Sequence, residues 1–461
     1  MLTAIIAIFV IGYIMIALEH SLHINKAATA LLIGVLCWTL YALDSAKLLP
    51  VESVPEWFSN KLASEHEHPE FPNREYLVDG QLAEFVAEIA QILFFLMGAM
   101  TIVELVDAHE GFSIITNLIK AKKKVTLMWI VAWITFFLSA VLDNLTTTIV
   151  MVSLLRKLVH DTKTRRFFAG LVILSANSGG AWSVIGDVTT TMLWVKHKIG
   201  TVETAYELFL ASAASLIVPL ILISRTMVGD LETKPESTAQ VHSEIGIKPW
   251  HQKLFFGLGC AGLVSVPIFK AYTHLPPFMG IMLALAVLWF VSELVSHTMD
   301  DATRSSTGVL AALKRIDMSS ILFFLGILLA VGSLAATGTL QSLASWLDKT
   351  IGSYTVVAVI IGLVSAIVDN VPLVAAGIEM YSFPENHPFW MLLAFCAGTG
   401  GSCLIIGSAA GVAAMGLEKI DFIWYAKTIT PWALLGYFSG IIVLLMQSSI
   451  VSWIFGAQTG S

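Results

Sequence analysis

Residues 139–148 read SAVLDNLTTT, and residues 365–374 read SAIVDNVPLV. Each stretch places an aspartate and an asparagine side by side in the middle of a long apolar segment. Polar pairs of this kind are costly to bury unless they are hydrogen-bonded. Because the same pair occurs twice in the same apolar setting, we interpret it as a repeated functional feature.

The composition around these stretches is that of a membrane protein. The chain has 461 residues, of which 56% are hydrophobic and 13% are charged, whereas soluble proteins carry about 25% charged residues. The mean hydropathy is +0.80, and continuous apolar runs of membrane-spanning length recur from end to end. Such runs favour transmembrane helices over a β-barrel, whose strands alternate. The sequence predicts an all-α polytopic membrane protein that is embedded in the lipid bilayer and has no nucleic-acid partner.

Two apolar segments have a length that fits neither one span nor two. A single span needs about 20 residues, but segments 125–155 and 351–381, which carry the Asp-Asn pairs, lie between one and two such lengths. We therefore interpret each as a re-entrant helical hairpin with the pair at its tip. The other predicted segments are 2–18, 27–43, 81–107, 167–195, 206–224, 253–269, 277–296, 319–340, 389–416 and 429–453.

The charges around the first hairpin predict its orientation. Basic residues flank it on both sides, at Lys120, Lys122, Lys123, Lys124, Arg156, Lys157, Lys163, Arg165 and Arg166. Such residues favour the cytoplasm, so both ends are expected inside, whereas hairpin 351–381 is expected to enter from outside. Alternation places both termini outside and a linker, 225–250, inside, between a first half (1–224) and a second half (251–461). We expect a multi-pass protein of a bacterial cytoplasmic (inner) membrane.

Three pairs of matching stretches indicate an internal repeat. LFFLMGAMTIVEL (93–105) matches LFFLGILLAVGSL (322–334), SAVLDNL matches SAIVDNV, and NSGGAWSVIGD (177–187) matches GTGGSCLIIGS (398–408). The matches keep the same order, and polar and glycine positions coincide. Because the charges place the two copies in opposite orientations, we predict two inverted-topology repeats, an arrangement typical of secondary transporters.

The third match interrupts segments 167–195 and 389–416 with glycine pairs. Each glycine weakens a helix by about 1 kcal/mol, and irregular backbone inside a membrane is tolerated only where it lines a cavity or is buried in protein. We therefore predict one glycine-broken transmembrane helix in each repeat. The glycines concerned are Gly179, Gly180, Gly400 and Gly401.

Three acids, Asp143, Asp187 and Asp369, lie deep in these apolar segments. Acids at this depth are costly and mark ion pathways or proton relays, although a protonated aspartate can also hydrogen-bond a neighbouring helix. The segments hold no lysine or arginine at comparable depth, so a structural salt bridge does not explain the acids. Burial disfavours the charged form of a carboxylate, so one carboxylate can hold either a proton or a cation.

Sodium is a hard cation that prefers oxygen ligands. We place Na⁺ at Asp143, Asn144, Asp369 and Asn370. Further hydroxyl oxygens are available in the hairpins and broken helices from Ser139, Thr146, Ser178, Thr189, Thr190, Ser365, Thr399 and Ser402.

At these residues the chain resembles the NhaD-type sodium/proton antiporters of the ion transporter superfamily. The resemblance rests on LDNLTTT, on VDNVPLVAA and on the two glycine-broken segments, and it covers residues 90–225 and 320–450. It implies two re-entrant hairpins, two discontinuous helices, a homodimer and an elevator-like or rocking movement. It also implies an ion pathway served by Asp143, Asn144, Asp187, Asp369 and Asn370. The repeat position of Asp187 is occupied by Ser408, so the two repeats are not expected to bind equivalent ions.

The predicted function is therefore exchange of Na⁺ or Li⁺ for H⁺ by alternating access, without a cofactor and without enzymatic activity. One alternative is a carrier of the same superfamily for dicarboxylate or an arsenite-like anion, which three acids would repel. Another is an intramembrane aspartyl protease, in which an inverted repeat has no obvious role.

Histidines are the remaining group that titrates near neutral pH. His20, His23, His109 and His160 fall near predicted cytoplasmic ends of the segments. We expect them to be solvated loop side chains.

Overall fold

The computed structural model describes residues 1–50, 54–65, 72–119, 121, 123–231 and 247–456. Within these ranges the chain is helical, and the only extended pairing is an isolated antiparallel bridge between Lys123 and Asp230. Eight of the described helices are long and apolar enough to cross a membrane. The prediction of an all-α polytopic membrane protein is confirmed.

The helices follow one another along the chain. In chain order they are α1 Leu2–Ala17, α2 Glu19–Leu22, α3 Lys26–Leu43, α4 Ser45–Leu48, α5 Glu56–Glu65, α6 Pro72–Glu75, α7 Ala83–Ala108, α8 Ser113–Leu118, α9 Lys124–Leu142, α10 Asn144–Leu158, α11 Thr162–Gly180, α12 Val188–Val195, α13 Thr201–Thr226, α14 Pro249–Thr273, α15 Pro277–Ser296, α16 Asp301–Thr307, α17 Val309–Arg315, α18 Met318–Ala336, α19 Thr339–Ile351, α20 Tyr354–Val364, α21 Asn370–Met380, α22 Pro388–Gly400, α23 Ala409–Glu418, α24 Phe422–Thr428 and α25 Thr430–Gly456. A π-helical segment, Tyr76–Leu82, joins α6 to α7.

The helices are interrupted where the sequence analysis places the tips and the glycine motifs. Helices α9 and α10 are separated at Asp143, and α20 and α21 are separated by residues 365–369. Helices α11 and α12 are separated by residues 181–187, and α22 and α23 by residues 401–408. The predicted breaks are confirmed, whereas the re-entrant course of the two hairpins stays a prediction.

The chain forms two compact units, each built from several segments. The first comprises Met1–Phe94, Asp317–Ser353 and Ala375–Ser382. Its centre is the packing of α3 along α18, where the indole Nε1 of Trp38 donates a hydrogen bond to the carbonyl oxygen of Leu329 at 2.8 Å. An indole buried in this way needs such a partner.

The second unit comprises Phe95–Ile316, Tyr354–Val374 and Phe383–Ser461. Within it α11 packs on α9, α22 on α20, α23 on α10, and α25 on α13. This unit contains both glycine-broken helices and both Asp-Asn pairs. The division into halves 1–224 and 251–461 with a linker at 225–250 stays a prediction.

The histidines differ from one another in their surroundings. His23 and His160 are exposed, as expected, and the side chain of His20 lies outside the described part of the chain. For His109 the expectation of a solvated side chain is wrong, because only 1% of this residue is exposed. Its ring stacks on Phe255 of α14 with a centroid distance of 3.5 Å. The turn after α7 looks polar in sequence, but α14 covers it.

Candidate ion-binding site

The first tip is built around Asp143, which ends α9 and caps α10. Its carboxylate accepts hydrogen bonds from the backbone N–H and the hydroxyl of Thr146, both at 2.8 Å. Aspartate is a favoured N-cap because it satisfies the free N–H groups of the first turn. The backbone of Asp143 has a φ of 94° and a ψ of 158°, a region that costs a residue with a side chain about 1–3 kcal/mol. Strain of this kind is typical of functional sites.

The break in the first discontinuous helix buries a second carboxylate, that of Asp187, which is 2% exposed. Asp187 caps α12, and its Oδ1 accepts hydrogen bonds from the N–H and the hydroxyl of Thr189, both at 2.8 Å. Its Oδ2 accepts a hydrogen bond from Nδ2 of Asn144 at 2.5 Å. The first tip and the first broken helix therefore meet directly at this carboxylate.

Asn177 extends this contact to the break between α22 and α23. Its Oδ1 accepts the second amide hydrogen of Asn144 at 3.0 Å. Its own Nδ2 donates to the hydroxyl oxygens of Ser402 at 2.9 Å and Ser408 at 3.0 Å. Both serines lie in the break between α22 and α23. We call Asn144, Asn177, Asp187, Ser402 and Ser408 the polar network.

The second tip is formed by Asp369 and Asn370. Asp369 accepts a hydrogen bond from the N–H of Val371 at 3.2 Å, and Asn370 is buried. Asp187 interacts electrostatically with Asp143 and with Asp369. In both Asp-Asn pairs the aspartate thus accepts a hydrogen bond from the backbone at the start of the following helix.

The eight supporting hydroxyl residues divide into two groups. Thr146 and Thr189 bind the two aspartates, and Ser402 binds Asn177. The other five contact helix backbone or another hydroxyl: Ser139 with the Ala176 carbonyl, Ser365 with the Ala397 carbonyl, Thr190 with the Ser183 carbonyl, Thr399 with the Phe395 carbonyl, and Ser178 with the Ser215 hydroxyl. The contacts of Ser139 and Ser178 join different helices, and that of Ser365 joins the end of α20 to α22, whereas Thr399 bonds within α22 and Thr190 bonds to the break before α12.

Glycines let α11 approach α9 closely, and they let α22 approach α20 in the same way. A methyl group on Gly179 would overlap the carbonyl oxygen of Phe136, and one on Gly400 would overlap the carbonyl oxygen of Gly362. The number of residues from Phe136 to Asp143 equals the number from Gly362 to Asp369. Gly180 and Gly401, next to them, approach the backbone at the far side of each break. The same backbone contact therefore occurs at the same spacing before each of the two Asp-Asn pairs.

Sequence reasoning did not select Asn177 or Ser408 as site residues. A signal was present, because Asn177 directly precedes the glycine pair and Ser408 stands at the repeat position of Asp187. The two residues are more than 200 positions apart in the chain, at 177 near the end of α11 and at 408 in the break before α23. Only the packing of α11 against α23 brings them together.

Comparison with known proteins adds an independent line of evidence. The family model described as citrate transporter, CitMHS, matches residues 13–382 of this chain. The chain belongs to the CitMHS family. The predicted membership of the ion transporter superfamily is thereby confirmed, and this CitMHS protein is a transporter rather than an enzyme.

Curated relatives resemble this CitMHS protein over almost its whole length. Sodium/proton antiporter 1 of Arabidopsis thaliana is 47% identical over 441 residues, which cover 95% of this chain and 71% of the relative. Sodium/proton antiporter 2 of the same plant is 43% identical, covering 95% and 98%. The Na(+)/H(+) antiporter NhaD of Vibrio cholerae is 30% identical, covering 96% and 91%. Because plants and bacteria both supply relatives, a bacterial inner-membrane location stays a prediction.

Proposed function

We propose that this protein exchanges Na⁺ or Li⁺ for H⁺ across a membrane. The observation that carries the proposal is the carboxylate of Asp187, which is buried in a helix break and bonded to Asn144 of the first tip. Neither Asp143 nor Asp187 forms an ion pair with lysine or arginine in the described part of the chain. Such a carboxylate needs a proton or a cation to offset its charge. The names of three relatives, all sodium/proton antiporters, agree with this chemistry.

Competition for the carboxylates explains how exchange is coupled. Carboxylate, amide and hydroxyl oxygens suit a hard cation, and we assign Na⁺ to the oxygens of Asp143, Asn144, Asp369 and Asn370, with Asp187 between the two tips. A site that holds Na⁺ excludes the proton, and a protonated site excludes Na⁺. Exchange follows when only the two loaded forms change their access from one side to the other.

We assign alternating access to two inverted repeats, each with a re-entrant hairpin and a broken helix. Two observations support this. In each broken helix a glycine, Gly179 or Gly400, packs against the backbone of the helix that precedes an Asp-Asn pair. A serine before each Asp-Asn pair also donates a hydrogen bond to a carbonyl oxygen of the broken helix: Ser139 to that of Ala176, and Ser365 to that of Ala397. Such matching contacts are expected if both copies derive from one folded unit.

Orientation, location and assembly complete the proposal. The basic residues around the first hairpin support cytoplasmic ends for it and external termini for the chain. In the cytoplasmic membrane of a bacterium, exchange of Na⁺ for H⁺ serves pH homeostasis. The family resemblance supports a homodimer.

A fluorescence assay in reconstituted vesicles tests the exchange. Vesicles are loaded with a pH-sensitive dye and given an inward-acid gradient, and NaCl, LiCl or KCl is then added. We expect Na⁺ and Li⁺ to move protons in wild type, and Asp143→Asn to abolish this response. Asp161→Asn is the matched control, because it removes an exposed acid that caps α11, and asparagine caps helices equally well. Absence of any response of wild type to Na⁺ or Li⁺ at every pH would overturn the proposal.

Anion transport is the second candidate, because the matching family model is described as a citrate transporter. An anionic substrate needs arginine, lysine or free helix N-termini, whereas the N-termini of α10, α12 and α23 are capped by Asp143, Asp187 and Ser408. The same vesicles discriminate the two functions. Uptake of labelled citrate, with no proton movement upon addition of NaCl, would support the anion carrier.

A further inference from the structure

Helix α23 begins beside the proposed ion site, and a buried acid lies at its other end. This is Glu418, the last residue of the helix, whose side chain is 1% exposed. Its Oε1 lies 2.7 Å from Nε of Arg156, at the end of α10, and its Oε2 lies 2.8 Å from Nε of Arg165, at the start of α11. Each carboxylate oxygen therefore has a guanidinium group of its own.

The same arginines also bind the backbone around this carboxylate. Arg156 donates to the carbonyl oxygen of Leu417, and Arg166 donates to that of Glu418 at 3.2 Å. The last carbonyls of a helix need partners from outside the helix, and positive charge is favourable beside them. Arg165 further donates to the carbonyl oxygens of the turn between α10 and α11. We call Glu418 and these three arginines the clamp.

The clamp and the polar network hold the same three helices at opposite ends. Helix α10 begins at Asn144, α11 ends shortly after Asn177, and α23 begins directly after its cap, Ser408. Helix α23 has 10 residues, which corresponds to about 15 Å. Because a helix of this length behaves as a rigid rod, the position of Glu418 at one end determines the position of Ser408 at the other.

We propose that Glu418 is a positioning residue for ion binding. By holding the end of α23 against α10 and α11, its carboxylate keeps the Ser408 hydroxyl within reach of Asn177. A buried carboxylate is costly unless its partners are well placed, and the paired oxygens and directional guanidinium groups fix the register of α23. The part of this inference that concerns ions rests on the proposed function, whereas the part that concerns the position of Ser408 does not.

Hydrogen exchange followed by mass spectrometry tests the position of Ser408 without any ion. The amides of Gly411 and Val412 bond to the side chain and backbone of Ser408. In Glu418→Gln we expect these amides to exchange about tenfold faster, as for the loss of one charge-assisted hydrogen bond. Asp421→Asn, which removes an exposed acid three residues further on and keeps a capping side chain, is the matched control. Faster exchange confined to the last turn of α23 would overturn the proposal.

Transport kinetics in the same vesicle assay test the consequence for the ion. Glu418→Gln is expected to raise the Na⁺ concentration for half-maximal exchange by about tenfold, with a smaller change in the maximal rate. Glu418→Asp, which keeps the charge, should recover part of the affinity. Arg165→Lys, which keeps a charge but loses the planar fork, replaces Glu418→Gln if the latter does not fold.

The outcomes separate the two proposals. A wild-type protein that does not respond to Na⁺ contradicts the proposed function, and the exchange of Gly411 and Val412 then decides the positioning role alone. An unchanged Na⁺ affinity in folded Glu418→Gln, beside a responsive wild type, contradicts the positioning role.

Discussion

The side-chain amide of Asn144 donates a hydrogen bond of 2.5 Å to the buried carboxylate of Asp187. Both amide hydrogens of Asn144 are used, one on Asp187 and one on Asn177. A residue at the tip after α9 thereby orients a carboxylate in the break of the neighbouring helix. Any ion or proton that binds Asp187 changes the strength of this contact.

We therefore expect Asn144→Ala and Asp187→Asn to act on the same step. A hydrogen bond to a charged group contributes about 1.5–3 kcal/mol, so Asn144→Ala should weaken Na⁺ affinity by roughly ten- to a hundredfold. Asp187→Asn should abolish Na⁺-dependent proton movement. The double variant should be no worse than Asp187→Asn, because contacting residues are not additive. Thermal unfolding in detergent remains measurable when exchange is abolished, and additive falls of the unfolding temperature in the double variant would show that the two side chains act separately.

Asn177→Ala is expected to loosen the packing of α23 on α11. The change removes the acceptor of Asn144 and the donor of Ser402 and Ser408. Buried groups left without partners cost about 1–3 kcal/mol each, so the thermal unfolding temperature in detergent should fall by several degrees and exchange activity should be lost.

Ser175→Ala is the control for this variant. Ser175 lies on the same helix and is equally buried, but its hydroxyl donates to the carbonyl of Leu171 in its own helix. Its replacement should leave Na⁺ affinity unchanged. If Ser175→Ala and Asn177→Ala lower the unfolding temperature and the exchange activity equally, the effect of Asn177→Ala reflects burial on α11 and not the polar network.

The sequence predicts the breaks in this fold well because their causes are local. Glycine pairs weaken a helix wherever they stand, and Asp143 carries a capping signal for the helix that follows it. The contacts between the two breaks could not be predicted in this way, because they join residues that are far apart in the chain. The partners of Asn177 lie far along the chain, between α22 and α23, and no local property of α11 identifies Ser402 or Ser408. Similarly, the polarity around His109 predicts a loop, but Phe255 of a distant helix covers the ring.

Gly179→Ala is expected to prevent the close contact between α11 and α9. The added methyl group would overlap the carbonyl oxygen of Phe136, which belongs to a backbone that cannot move aside as a side chain can. Overpacking of this kind costs about 1–3 kcal/mol or more, so expression and the unfolding temperature should both fall. Gly400→Ala should have the same effect at the contact with Gly362.

Gly257→Ala is the matched control for these glycines. Gly257 lies inside α14, and a methyl group there meets no atom within 4 Å. Because alanine favours a helix over glycine by about 1 kcal/mol, this variant should be as stable as wild type or more stable. Loss of stability in Gly257→Ala but not in Gly179→Ala would contradict the close-contact interpretation.

His109 should make the protein less stable in acid. Burial lowers the pKa of His109 from 6.5 to about 4, and this effect outweighs the hydrogen bond to the Leu105 carbonyl, which acts in the opposite direction. Between these two pH values the unfolded chain binds the proton and the folded chain does not. The contribution of the neutral ring is therefore complete above pH 6.5 and is lost as the pH falls towards 4. One pKa unit corresponds to 1.36 kcal/mol, so the loss amounts to about 3 kcal/mol.

His109→Asn separates this effect from other acidic destabilisation. The amide of asparagine can donate to the Leu105 carbonyl, as the ring Nδ1 does at 2.8 Å, but it does not titrate. The variant loses the stacking on Phe255, so it should unfold at a lower temperature than wild type near neutral pH. As the pH falls from 6.5 to 4, the difference between the two proteins should shrink, since only wild type loses the contribution of its histidine. A constant difference across this range, measured by thermal unfolding in detergent, would mean that His109 does not titrate upon unfolding.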